Sequence, residues 1–410
     1  MRCYDVAPMY RRTCNRNAKT LKFSDRANAI TPFYAMAFSE KASALEAQGV
    51  HVVRLNIGEP DFGAPQPVVA AMQAVIEKAD LPYTSALGLP ALRNAISGFY
   101  QTRHGVAVKP NNVVVTAGAS AALLLVCAAL INEGEEVMLA DPAYPCNRQF
   151  IRAFGGQLQS IAAGAEDRFQ LTPQSVKANW QSTTKGVMLA SPSNPTGTSV
   201  SQADLQAICE FAKAKGCWRI VDEIYLNLSH HDNGQTALAF DPDAIVINSF
   251  SKYFGMTGWR LGWCVVPDEM VPVMERLAQN LYICPSTPAQ HAALACFTPE
   301  TLNVCERRRD ILLHRRQLVL EGLAGIGLSV DVEPDGAFYV YINVTPTGLT
   351  AMDFCERLLE EHHVALTPGN DFGQATGDDY VRLSFAAAEQ ELELGIKRMG
   401  EFVSKLGISA

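Results

Sequence analysis

The chain is poor in charge and short of aromatic residues: 19% of its 410 residues are Asp, Glu, Lys or Arg and 8% are Phe, Trp or Tyr, against 48% hydrophobic. That balance excludes disordered and collagen-like classes and leaves enough apolar side chain for a large core. Low-complexity tracts and internal repeats are lacking. So is a membrane span: the longest apolar run, Ala117 to Ile131, contains Gly118 and Ser120 and stops at Asn132-Glu133-Gly134, short of the roughly 20 residues a bilayer needs. It reads as a buried helix of a soluble, cytoplasmic protein with no membrane partner. The eleven cysteines include no C-x-x-C pair and follow no secretory segment, so they read as reduced thiols used as small core residues. The eight histidines include the pair His230-His231, but none stands at ligand spacing with a cysteine or carboxylate set, and no metal is expected.

A basic surface is missing too. Lys and Arg number 34 against 42 Asp and Glu, a net charge of −8 that gives nucleic acid no footprint. The N-terminus departs from this, with seven basic and two acidic residues up to Arg26, which leaves −13 on the remainder. An organellar transit segment would be Arg-rich and acid-poor in this way but also Ser-rich and amphipathic, and only Ser24 stands here. Residues 1–28 therefore read as a flexible tail or a start codon placed too early, with transit as the alternative.

What is present is an alternation of short β-branched runs with longer helical ones. A helix is predicted from Phe33 to Gln48 and a strand at Val52–Ile57, then helices at Pro67–Lys78 and Pro90–Tyr100. A strand at Asn112–Thr116, a helix at Ala119–Ile131 and strands at Glu136–Asp141, Gly186–Ala190, Trp218–Asp222, Ala244–Asn248 and Leu261–Val266 follow, with helices between several of them. This is the pattern of an α/β layered domain. Beyond Thr301 a long Arg-rich helix, strands at Leu328–Glu333 and Ala337–Asn343, a helix at Ala351–His362, a strand at Tyr380–Phe385 and a last helix suggest a smaller α+β unit. The boundary falls near residue 300.

The densest polar segment is SFSKYFGMTGWRLGW, Ser249–Trp263. Ser249 and Ser251 can donate to an anion, Arg260 offers a planar fork to a phosphate, and Gly255 and Gly258 let backbone approach closely. A lysine such as Lys252 beside a phosphate clamp suits Schiff-base chemistry with a phosphorylated aldehyde. Elsewhere, TAGAS (Thr116–Ser120) ends a strand and opens a helix, which makes either an anion cradle or a plain tight turn. Asp222 closes the apolar strand of VDEIY, at the edge where open α/β sheets place ligands, although alone it reads as a cap. SPSNPTG (Ser191–Gly197) by itself is a Pro/Gly turn, Tyr144 in DPAYP a core tyrosine, and Arg382 in VRLSFA a solvent-facing strand residue. GLAGIGLS at Gly322–Ser329 follows a helix and reads as its stop.

Together these segments resemble the fold-type I pyridoxal-phosphate aminotransferases of class I/II. The lysine signature stands complete from Ser249 to Gly262, and LNIGEPDF (Leu55–Phe62), YTSALGLPALR (Tyr83–Arg93), TAGAS, DPAYP, SPSNPTG, VDEIY and VRLSFA follow in the family's order, covering Ala29 to the end. The resemblance implies a large cofactor domain at 61–300 with a mostly parallel sheet between helices, and a small domain at 301–410 on which the segment 29–60 packs. It implies pyridoxal 5′-phosphate as a Schiff base on Lys252, with Gly118, Ala119, Ser120, Ser249, Ser251 and Arg260 around the phosphate. Asp222 would pair with the pyridinium nitrogen, Tyr225 and Asn194 with the phenolic oxygen, and Tyr144 would stack on the ring. Tyr83 would reach the phosphate of a neighbouring subunit in a homodimer. Arg382 and the backbone of Gly58, with Asn194 beside them, would hold the carboxylate of an α-amino acid, and a 2-oxo acid would accept the amino group in a ping-pong cycle with Lys252 as base and acid.

Two departures bear on the substrate. Some aspartate-type relatives carry a lysine where this chain has Ser120; others take an arginine from the partner ahead of a proline-containing stretch that here reads LYICPSTP (Leu281–Pro288), without arginine. A neutral donor is therefore favoured over aspartate, and glutamate could still bind by its α-carboxylate. A C–S β-lyase on the same scaffold is the nearest alternative, with an aspartate aminotransferase beside it. A transcription regulator would need a DNA-binding domain ahead of Ala29, and a scaffold without catalysis would not need Lys252, Asp222, Arg260 and Arg382 together.

Overall fold

The structure is a computed structural model that describes residues 21–230 and 234–407. His231 and the basic tail up to residue 20 lie outside the described residues. Of the described residues, those from 21 to 32 fall in one unit and those from Phe33 onward in another. In the first, α1 (Asp25–Ala29) begins at Ser24, whose Oγ accepts the Ala27 N–H.

Among the described residues the second unit carries twelve α-helices: α2 (Tyr34–Glu46), α3 (Gln66–Glu77), α4 (Pro90–His104), α5 (Ala119–Leu130), α6 (Pro145–Ala153), α7 (Pro173–Asn179), α8 (Gln202–Ala214), α9 (Val271–Leu281), α10 (Thr287–Ala293), α11 (Pro299–Gly325), α12 (Ala351–His362) and α13 (Glu389–Lys405). Its strands are β1 (Val53–Arg54), β2 (Val113–Thr116), β3 (Glu136–Asp141), β4 (Gln157–Ala162), β5 (Thr184–Ala190), β6 (Trp218–Asp222), β7 (Ile245–Ser249), β8 (Gly262–Val265), β9 (Tyr339–Asn343), β10 (Val364–Ala365), β11 (Thr367–Pro368) and β12 (Tyr380–Ser384). Proline opens several helices at a position whose N–H would be unbonded anyway.

Seven strands form one sheet in the order β2-β8-β7-β6-β5-β3-β4. Neighbours from β7 to β4 run parallel, and β8 is antiparallel to both β7 and β2. Val246, Ile247, Val221, Ile220 and Val187 are wholly or almost wholly buried, as expected of strands covered on both faces. A second sheet, β11-β12-β9, is antiparallel, and β1 pairs with β10 with Val53 opposite Val364. The Ser384 N–H reaches the Leu55 carbonyl at 2.8 Å, so the early segment is stitched to late strands. Among the described residues no helix is long and apolar enough to cross a membrane.

Two expectations need correction, and one strand goes unforeseen. The strand at Leu328–Glu333 does not form; only Ser329 bridges Asn343, because Asp331 takes side-chain bonds from Asn343 and Tyr380 in place of a ladder, and Pro334 follows. The strand at Val52–Ile57 contracts to β1, since the Asn56 carbonyl is claimed by Arg382 and Thr367. β4 goes unanticipated because its sequence, QLQSIA, is an edge strand in which Gln157, Gln159 and Ser160 interrupt the apolar run on both faces.

Gly186 shows how tightly β5 and β6 are fitted. It lies opposite Trp218, and a Cβ there would stand 2.1 Å from the indole ring. Gly186→Ala is expected to cost about 2 kcal/mol through overpacking, measured as a lower urea midpoint; an unchanged midpoint would show that the indole can step aside.

Candidate active site

The strands of the large sheet end where one cavity of about 230 Å³ opens. β2 ends at Thr116, and Gly118 (φ +85°) turns the chain into α5, whose first amides have no side-chain cap. A Cβ on Gly118 would lie 2.7 Å from Arg260 Nη2, so only glycine leaves the guanidinium room. Arg260 itself is exposed, with Nη1 donating to the Thr257 carbonyl at 2.9 Å. Ala119 and Ser120 line the cavity. Ser249 and Ser251 are buried but absent from that lining; the Ser249 hydroxyl donates to the Leu261 carbonyl at 3.3 Å and accepts the Ser251 N–H at 3.0 Å, bracing the loop.

Lys252 follows on that loop, and its Nζ donates to the Gly58 carbonyl at 2.6 Å. The amine stands 5.8 Å from the Tyr225 ring centre and 5.7 Å from that of Phe338. Burial pulls its pKa down to about 8, with Glu59 opposing. Asp222, at the end of β6, accepts the Ile224 N–H at 3.0 Å on Oδ1, which leaves Oδ2 for a ligand in the cavity it lines. Its burial raises the carboxyl to about 6, and Lys252 works against that rise.

On the other side, Arg382 points inward and is 2% exposed, contrary to the solvent-facing reading of an isolated strand arginine. Nη1 donates to Asn194 Oδ1 at 2.8 Å, and Nη2 to the Asn56 carbonyl at 2.6 Å and to Thr367. The guanidinium lies 4.6 Å from the Tyr339 ring centre and 4.8 Å from that of Phe372. Its Nε is buried without a hydrogen-bond partner.

Tyr339 is a member of the site that sequence reasoning missed. Its hydroxyl is 2.7 Å from that of Tyr225, and a Cβ on Gly58 would come within 2.2 Å of it. The available signal was an aromatic just after Gly336-Ala337 in a short strand, which reads equally as core. Asn56, one residue inside LNIGEPDF, was passed over for Gly58. Tyr144, Asn194, Tyr225 and Gly58 all line the cavity, whereas Tyr83 is 79% exposed and does not line it.

A lysine amine, a buried carboxylate and a locked arginine around one cavity agree with the comparisons. The model of the family "Aminotransferase class I and II" matches residues 50–399. The chain belongs to the class I and II aminotransferases. It is 40% identical over 378 residues to the valine–pyruvate aminotransferase of Mycobacterium tuberculosis, covering 91% of this chain and 97% of that one. It is 32% identical over 393 residues to the aspartate aminotransferase of Geobacillus stearothermophilus, with 93% and 99% covered. The crystal structure of an aminotransferase from Mycobacterium tuberculosis superposes with a TM-score of 0.90 at 39% identity, covering 94% of this chain and all of that one.

As an aminotransferase of this family the protein uses pyridoxal 5′-phosphate. The residues present fit that group. An uncapped helix start beside a glycine and Arg260 suits a phosphate, and Oδ2 of Asp222 suits a protonated ring nitrogen. Lys252 supplies a buried amine of lowered pKa.

In the cofactor-free protein Asp222 holds its proton to about pH 6, against an ordinary value of 3.8. The stability tied to that proton is full below about pH 4 and lost as pH rises through 6. Cofactor-free protein should therefore resist urea better near pH 5 than near pH 8, and Asp222→Asn should remove roughly 1.5 kcal/mol of the difference. Glu223 and Asp371, also lifted by burial, leave a residual slope. A variant with the full wild-type slope would show that Asp222 does not carry the buried charge.

Proposed function

We propose that the enzyme moves the amino group of a neutral α-amino acid to a 2-oxo acid by a ping-pong cycle through Lys252. The observation that carries this reading is the lining of the cavity. Its cations are Lys252 and Arg382, and Phe33, Ala35, Met36, Ile57, Leu123 and Ile224 give the wall an apolar part. One arginine serves one carboxylate, and with Lys252 given to the cofactor no further cation stands among the described lining residues for a distal one. The similarity to a valine–pyruvate aminotransferase supports the same donor class.

When bound, pyridoxal phosphate supplies an electrophilic aldehyde and a conjugated ring that accepts electrons from the substrate α-carbon. Gly118, Ala119, Ser120, Ser251 and Arg260 would hold its phosphate, with Ser249 keeping the loop in shape. Tyr83 from a second copy would complete that site in a cytoplasmic homodimer, a reading supported by the exposure of both Tyr83 and Arg260. Asp222 would keep the ring nitrogen protonated, and Tyr144 would cover the ring. Burial keeps the Tyr225 hydroxyl protonated, so with Asn194 it can donate to the phenolic oxygen. Arg382 takes the substrate carboxylate through its fork, with the Gly58 backbone from the other side. The Lys252 amine would take the proton from the substrate α-carbon and give it back; a pKa of about 8 leaves part of the amine in its basic form near neutrality.

The test is the absorption spectrum of the loaded enzyme as single amino acids are added without an oxo acid. Conversion of the visible band by valine, alanine or leucine but not by aspartate supports the reading; release of pyruvate and ammonia would replace it with a lyase. Lys252→Ala should abolish the visible band and turnover while the fold persists, and a band that survives would sink the lysine's role. Arg382→Lys should weaken amino-acid binding about a hundredfold, since a bidentate charged contact is lost. Cofactor affinity should hardly move, and equal loss of both would make Arg382 structural.

A further inference from the structure

Helix α2 brings Ala35, Met36 and Ser39, with Phe33 ahead of them, to the cavity wall. Its start is weakly anchored by packing: Ala35, Phe38 and Ala42 are its buried residues, and Met36 is 59% exposed. Phe33 precedes it and offers no side-chain acceptor to the first amides, which every helix leaves unbonded.

Those amides are met from far along the chain. The Tyr34 N–H donates to Asp371 Oδ1 at 2.8 Å and the Ala35 N–H to Oδ2 at 2.9 Å, so one carboxylate caps the first turn where the helix dipole also favours negative charge. Asp371 is 3% exposed, and its own backbone is pinned. Arg148 donates to the carbonyls of Asp371 and Phe372, and the Ala143 N–H to that of Phe372. The next residue, Phe372, lies against Arg382, so one short turn touches both α2 and the arginine. A second tie runs from Arg382 to the Asn56 carbonyl, while Asn56 Nδ2 donates to the Ala35 carbonyl at 3.1 Å and to Ser39 Oγ at 2.9 Å.

We propose that Asp371 is a positioning residue for substrate selection: by capping α2 it holds the apolar wall at a set distance from Arg382 and so sets how well a donor's side chain is gripped. This rests on the reading of the cavity as the site of an α-amino acid bound through Arg382. Asp371 does not line the cavity and acts through α2.

The experiment uses cofactor-loaded protein and the variants Asp371→Ala and Asp371→Asn. In Asp371→Ala, hydrogen exchange at the Tyr34 and Ala35 amides should rise about tenfold, the ordinary consequence of losing a helix cap. The ratio of kcat/KM for leucine over alanine should fall about fivefold through KM, because alanine is too short to reach the wall, while kcat for alanine and cofactor affinity stay within about twofold. Asp371→Asn, which keeps one acceptor oxygen, should fall between. Unchanged exchange, or equal losses for leucine and alanine, would overturn the proposal. Wild-type enzyme that turned over only dicarboxylic donors would sink the donor reading instead, and the exchange arm would still decide the cap.

Discussion

Taking an amine and a carboxylate out of water at the end of one sheet is unfavourable, and much of the architecture answers that constraint. Lys252 and Asp222 line one cavity beyond the carboxyl ends of β7 and β6, with too few fixed partners to satisfy either charge fully. Each titrates toward neutrality in response. A site tuned in this way is reactive because it is incompletely solvated: the amine is nucleophilic near neutral pH, and the carboxylate retains an oxygen for a cationic ring. The buried parallel strands on either side keep water from restoring the ordinary values.

Arg382 poses the opposite problem, since a guanidinium cannot shed its charge. It is buried between two aromatic faces, and the oxygens of Asn194, Asn56 and Thr367 take three of its hydrogen bonds, while Nε keeps its donor unused. Those contacts hold the fork in one plane. They also make the arginine a junction, because each partner comes from a different stretch of chain, and the early helix α2 is drawn in through Asn56 and Asp371.

Legibility in the sequence followed the reach of the interactions. Strands β3 and β6 and helix α12 stand where their apolar periodicity placed them, to the residue, because burial on the sheet faces or one helix face decides them locally. Positions at the ends of such elements, such as Asp222 and Lys252, stood out as polar residues in apolar surroundings. Tyr339 did not, because an aromatic in a buried strand looks the same whether its hydroxyl meets a ligand or the core. Asp371 gave no signal either, since a cap is read from the residue just before a helix and this one arrives across 337 positions. The failure of Leu328–Glu333 to pair has the same origin: the side-chain bonds of Asp331 belong to partners on other strands.

Periodicity and the ordered motifs were thus enough to determine the α/β class, the family and the identity of the lysine, aspartate and arginine that meet in the cavity. These are properties of short windows, where spacing of apolar residues and backbone-permissive glycines act over a few residues. Tertiary structure alone decided which way Arg382 faces, that the Ser249 hydroxyl braces its own loop, that Tyr339 closes on Tyr225, and that α2 is held by Asp371. Each depends on a hydrogen bond or ring contact between segments distant in the chain, and the energy of such a contact exists only once the fold has brought them together.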